Sequence, residues 1–343
     1  MKGSLTFKDG TKIEGRSFGY EGSVAGEIVF TTGMVGYPEA MTDPSYTGEI
    51  LIFTYPIIGS YGIADKKTWE SDGIKTKGII VSNYIDTPSH FSSKMTLSAW
   101  LKKEKVPALE IKDTRYLTQK IRTEGTMLGK ITINKQVDWY DPDKENLVSY
   151  VSSKKPLVLG SGKKHIVMLD CGAKRNISEE LLKRGVKLTI VPWDYDIFTQ
   201  IEKFDGVLIS NGPGNPKRVT KTIETVRKAL DRKMPILGIC LGNQILTLAA
   251  GGDTTQMKFG HRSQNQPCLL EGTNKAYLTT QNHGYVVNKI PKGFKTWFTN
   301  VNDGTNEGII HTKYPFMAVQ FHPEATPGPV DTSWIFDFFL KKI

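Results

Sequence analysis

From His165 onward, short apolar runs alternate with amphipathic stretches, and no other feature restricts the possible folds as strongly. Residues 165–170 read as a buried strand, 178–184 as a helix that stops at Gly185, and 186–191 and 205–210 as two more strands. Val219, Ile223, Val226 and Leu230 recur at spacings of four, three and four, which lines up one helical face. Residues 235–239 form another apolar run, followed at once by a helical pattern over 243–250. This alternation predicts an α/β fold, with a mostly parallel sheet flanked by helices. Sheets of that kind carry their sites at the carboxyl ends of the strands.

The first part of the chain has a different texture. Strand-like runs at 4–7, 27–31, 50–55 and 78–82 are separated by turn residues, with helices expected near 93–103 and 114–124. These runs predict a β-rich α+β domain over 1–145, a polar linker over 146–163 that carries one short helix or strand, and the α/β domain over 164–343. A length of 343 residues suits two domains at roughly 150 residues each. No apolar run approaches the ~18 residues of a membrane helix, and the start, MKGSLTFKDGTK, lacks the apolar core of a signal peptide. Three cysteines, with no C-x-x-C pair and no zinc-ligand spacing, argue against a disulfide framework or a structural metal. The expected location is the cytoplasm. The net charge of +10 comes from scattered lysines and short basic pairs without a recognition motif, so it reads as a solvated surface rather than a nucleic-acid site.

The chemistry centres on Gly238-Ile239-Cys240-Leu241-Gly242-Asn243-Gln244, at a strand-to-helix junction. This is the nucleophile-elbow pattern with Cys in place of Ser. The flanking glycines suit a turn too tight for a Cβ, and a sulfur at a helix N-terminus is held in an environment that favours thiolate. The amide of Leu241 is then aimed at a developing oxyanion. A thiolate nucleophile needs a base and an orienting acid. Residues 316–321 read as a strand that delivers His322, followed by Pro323 and Glu324. Glu324 is placed to fix the imidazole tautomer. The Gly-Pro turn Asn211-Gly212-Pro213-Gly214, after the run ending at Ser210, offers Gly212 as a second oxyanion donor.

In order along the chain, SNGPG, GICLGNQ and HPE resemble the class I (triad) glutamine amidotransferases. Residues 36–48, 59–62 and 113–115 of the N-terminal part resemble the carbamoyl-phosphate synthase small subunit. So do 170–176, 257–261, 281–284, 303–305 and 323–329. The resemblance implies that Cys240 attacks the amide carbon of L-glutamine, that His322 moves the proton and that Glu324 supports His322. It assigns glutamine binding to Ser45, Gly212, Gly214, Leu241, Gln244, Asn282, Gly284 and Tyr285. It further implies a separate large subunit that uses ATP, magnesium and bicarbonate, receives ammonia through a tunnel, and makes carbamoyl phosphate for arginine or pyrimidine synthesis. The heterodimer is a candidate for higher assembly. No cofactor is expected on this chain, which has no Walker A loop.

Four positions depart from the family pattern: Asn243 and Val330 stand where it usually has His, Ser60 where it has Asn, and Ser263 where it has Gly. The competing functions are the glutaminase subunit of another amidotransferase and a regulatory pseudoenzyme.

Overall fold

A computed structural model describes residues 1–201 and 203–343, which divide into two compact units, Met1–Glu145 and Asn146–Ile343. In the first unit seven strands close into a barrel. Their order is Lys2–Phe7, Lys12–Ser17, Ala108–Glu110, Gly78–Val81, Glu49–Phe53, Val24–Thr31 and Met127–Thr132. The pairings around Glu49–Phe53 are parallel and those of Lys2–Phe7 are antiparallel. Side chains alternate across a strand. Val29, Leu51 and Ile79 therefore pack in one cluster with Trp100, Leu101 and Met41. Ile28, Ile50, Ile52 and Ile80, of the opposite parity, are equally buried and fill the barrel.

Both expected helices of this unit form. Thr114–Glu124 is capped by the Asp113 carboxylate, which accepts from the Tyr116 amide, and stops at Gly125 with φ +101°. The other is Leu97–Lys103, shorter than expected because the Thr96 hydroxyl accepts from the Ala99 amide and sets the start there. Closure into a barrel was not legible in the sequence, since it depends on pairing Lys2–Phe7 with Met127–Thr132, more than a hundred residues away.

The second unit holds a ten-stranded sheet. Its centre is parallel: Lys187–Pro192, His165–Asp170, Gly206–Ile209, Ile236–Ile239 and Phe316–Val319, in that order. Asn306–His311, Ala276–Lys289, Asp253–Leu270 and Phe294–Asn300 extend it in antiparallel register. The fold is α/β as expected, but the sheet is mixed. The extension mixes buried and exposed positions and carries bulges, as half-solvated antiparallel ribbons do, whereas the parallel strands are almost wholly apolar.

Both faces of the central strands are covered. Ile166, Met168, Leu208 and Leu237 pack with Ile177, Leu181, Phe336 and Phe339. Val167, Leu169, Val207 and Ile209 pack with Val219, Ile223, Val226 and Ile245. The latter set contains most of the helical face read from spacing, now within Thr220–Asp231 and its N-cap.

Residues 146–163, read as a linker with one short helix or strand, cluster with the second unit. Val148 is buried in the core of the second unit, and Leu157–Leu159 adds an antiparallel edge strand to Lys187–Pro192. That strand has only three residues, too short for its period to tell strand from helix in the sequence.

Candidate active site

The central strand Ile236–Ile239 ends at Cys240, and helix Leu241–Ala249 begins immediately after it. Cys240 has φ +53° and ψ −104°, a conformation non-glycine residues avoid. Such strain, of order 1–3 kcal/mol, persists only where the surroundings enforce it. Here the Cys240 amide donates to the Val319 carbonyl at 2.8 Å, and its own carbonyl accepts from the Asn243 amide at 3.0 Å. The glycines are required by close approach. A Cβ on Gly238 would lie 2.5 Å from the Gly242 oxygen, and one on Gly242 would lie 2.2 Å from the Ile209 oxygen. Gly212 is pressed against the same helix start, where a Cβ would lie 2.1 Å from the Cys171 oxygen and 2.8 Å from Leu241 Cδ2.

His322 lies beyond the neighbouring parallel strand Phe316–Val319, and its amide donates to the Thr280 carbonyl at 2.9 Å. After Pro323 the chain folds back through Ala325 and Thr326, both at positive φ. This return brings Glu324 Oε1 to 2.6 Å from His322 Nδ1, so the proton there fixes the tautomer and leaves Nε2 for the sulfur. Both residues are buried. Burial opposes a charge on His322, but the charges of Glu324 and Cys240 and the hydrogen bond to Glu324 outweigh it, raising the imidazole pKa to about 10. Burial likewise opposes ionisation of Glu324. Lys174 and His322 overcome it and hold the carboxyl at about 2.

Lys174 is a residue of this site that the sequence did not single out. It is fully buried, with Nζ 3.1 Å from Glu324 Oε1 and bonded to the Ala325 carbonyl. Asn176 holds the same turn, donating to the Glu324 carbonyl and to Thr326 Oγ1. Nothing local marks a lysine between Ala173 and Arg175 as buried, since the partner that buries it lies 150 residues on.

Lys174→Met should leave the buried Glu324 charge with His322 as its remaining cationic partner, a loss of up to roughly 3–5 kcal/mol. The wild-type benefit of ionised Glu324 is full above its ordinary pKa of 4.5 and fades as pH falls towards 2. Urea unfolding at several pH values should therefore show the deficit at pH 6–7, shrinking as the solution is acidified. A deficit independent of pH would show that the lysine serves packing alone.

The strand Ala276–Lys289 crosses the same site. The Asn282 carbonyl lies 3.6 Å from Cys240 Sγ, and the Tyr285 carbonyl accepts from Gln244 Nε2 at 2.9 Å. Leu241 and Asn282 thus adjoin Cys240, Gly212 lies against Leu241, and Gln244 and Tyr285 are joined to each other. Gly214, with φ +81°, faces Leu147, and Gly284 faces Arg262. Ser45 belongs to the first unit, in the turn Pro44–Tyr46, where the Asp43 carboxylate accepts from its amide at 2.9 Å.

Cys171 and Cys268 are buried free thiols, and desolvation drives the pKa of each upward. Among the described residues, one set of three side chains brings metal-capable atoms within 4.8 Å: His261, His283 and Glu307. They come from three strands, so no local spacing reveals them. Their atoms have protein partners. His261 pairs with Asp303 and Glu307, and His283 bonds to the Tyr285 carbonyl and Gln281.

Residues 5–131 match the family described as carbamoyl-phosphate synthase small chain, CPSase domain, and residues 167–342 match glutamine amidotransferase class-I. The mitochondrial carbamoyl-phosphate synthases (ammonia) of Mus musculus and Homo sapiens are each 49% identical over 353 residues, covering 99% of this chain and 23% of theirs. The multifunctional protein CAD of Squalus acanthias is 47% identical over 355 residues, covering 98% of this chain and 16% of that protein. The chain therefore spans less than a quarter of the length of these relatives. With the elbow, the buried His–Glu pair and both domain matches in hand, the chain belongs to the class-I glutamine amidotransferase family and carries the small-chain domain of carbamoyl-phosphate synthase ahead of it.

Proposed function

We propose that this chain is the glutaminase of a glutamine-dependent carbamoyl-phosphate synthase. The observation that carries the proposal is Cys240 at its strained elbow, with the imidazole of His322 beside it and Glu324 on the far nitrogen. The Cys240 thiolate attacks the side-chain amide carbon of L-glutamine. The tetrahedral oxyanion is met by the amides of Leu241 and Gly212. His322 gives its proton to the departing nitrogen, which leaves as ammonia, and a γ-glutamyl thioester remains on the sulfur. His322 then takes a proton from water, which attacks the thioester and releases glutamate and the thiolate. Ser45, Gly214, Gln244, Asn282, Gly284 and Tyr285 hold the substrate.

Ammonia passes to a large synthetase subunit, which uses ATP, magnesium and bicarbonate to make carbamoyl phosphate for arginine or pyrimidine synthesis. The match to the small-chain domain supports such a partner. Among the described residues no helix is long and apolar enough to cross a membrane. Three free thiols suit a reducing compartment, and we place the reaction in the cytoplasm.

Ammonia released without an acceptor is lost, so a synthase gains by restraining its glutaminase until the partner is bound. The isolated chain should hydrolyse glutamine slowly, and added large subunit should accelerate it. With a net charge of +10 on this chain, the association should weaken as salt rises. Glutaminase rate titrated with large subunit at low and high ionic strength checks this. A free chain already at full speed and indifferent to the partner would point to a glutaminase serving another synthesis. A chain inactive in every combination would point to a regulatory pseudoenzyme.

A further inference from the structure

We propose that Gln320 is a catalytic residue of this site, its side-chain amide donating a hydrogen bond to the thiolate of Cys240. The proposal rests on Cys240 being the nucleophile. Gln320 is wholly buried, one residue past the strand Phe316–Val319 and two before His322. Its Nε2 lies 3.7 Å from Cys240 Sγ. Its Oε1 lies 3.2 Å from both Asn243 Nδ2 and Gln244 Nε2.

An amide can be turned end for end, so the orientation needs an independent anchor. The Tyr285 backbone carbonyl supplies one, because it can only accept. The Gln244 end that lies 2.9 Å from it must therefore be the NH2 group. That same NH2 lies against Gln320, so the Gln320 end facing it must be the oxygen. Asn243 adds a second donor to that oxygen. The Gln320 NH2 is left on the sulfur side, fixed through one intermediate amide by a piece of backbone.

The Asn282 carbonyl and the Gln320 amide favour opposite protonation states of the sulfur. The Asn282 carbonyl, at 3.6 Å, only accepts and suits the thiol. The Gln320 amide can only donate to the sulfur and suits the thiolate, because hydrogen bonds to a charged acceptor are the stronger ones. The titratable group facing the sulfur is His322, backed by Glu324 and Lys174. His283, nearby, is driven neutral by burial and by the charge of His261. Gln320 adds a donor that does not titrate and so keeps its bias at every pH. Asn243, a departure from the family pattern, is part of this arrangement.

The test is the pH profile of Cys240 alkylation by iodoacetamide, read by peptide mass spectrometry on the folded full chain. Gln320→Leu should move the midpoint upward and slow labelling about tenfold at a fixed pH below it. Gln320→Glu keeps the side-chain size and should move the midpoint at least as far, since a carboxylate would face the thiolate. It also serves if the leucine variant does not fold. Native circular dichroism with an unmoved midpoint in the folded variants would overturn the proposal. A dead Cys240→Ser enzyme combined with an unmoved midpoint removes only the role of Gln320. A Cys240→Ser enzyme that still hydrolyses glutamine removes the glutaminase assignment of Cys240, whatever the midpoint does.

Discussion

Cys240→Ser should lower glutamine hydrolysis roughly 10³-fold or more, as loss of a nucleophile does in enzymes whose catalytic groups act as a unit. A serine hydroxyl fits the same backbone, so the elbow and its hydrogen bonds to Val319 and Asn243 should persist. What is lost is the sulfur nucleophile, since a neutral hydroxyl is a far poorer nucleophile beside the same base. In complex with a large subunit, synthesis from added ammonia should continue, because the lesion is confined to ammonia production. Alkylation of the wild type should strike Cys240 ahead of Cys171 and Cys268, whose thiols burial keeps protonated. A serine variant near the wild-type rate would remove Cys240 from the mechanism.

His322→Asn should cost about 10²–10⁴-fold in kcat, the usual worth of a positioned acid–base group. The same imidazole is asked to protonate the leaving nitrogen and later to deprotonate water, so both halves of the cycle suffer. Glu324→Gln should cost less, because an amide can still accept from Nδ1 while the imidazolium loses its counter-charge. Steady-state and single-turnover rates for the two variants check the order. A larger chemical defect at Glu324 than at His322 would reverse the roles.

The parts of this site legible in the sequence are those whose reason is local. The glycines at 238 and 242 are dictated by backbone approaches within the elbow and to the adjoining strand, and they mark the Cys between them. His322 and Glu324 are two residues apart at the end of an apolar run, so both their pairing and their place on the sheet can be read directly. The five parallel strands were equally readable, because burial on both faces makes them continuous apolar runs.

Long-range coincidence was not readable. Lys174 acquires its role only when the turn after Glu324 folds over it. Gln320 stands as one amide in the run Met317-Ala318-Val319-Gln320-Phe321, with nothing local to say that Asn243 and Gln244 will orient it. The antiparallel extension was missed because residues 253–311 are only half buried and interrupted by bulges. The barrel was missed because its closing strand pair joins the two ends of the first unit.

Cleavage of glutamine through a covalent bond to one sulfur leaves a trappable intermediate. Rapid acid quench of the wild-type chain turning over glutamine, followed by peptide mass spectrometry, tests this route most directly. A γ-glutamyl group should appear on the peptide containing Cys240, accumulating within one turnover and absent from Cys240→Ser. Turnover with no adduct at any quench time, or an adduct on Cys171 or Cys268, would contradict this route.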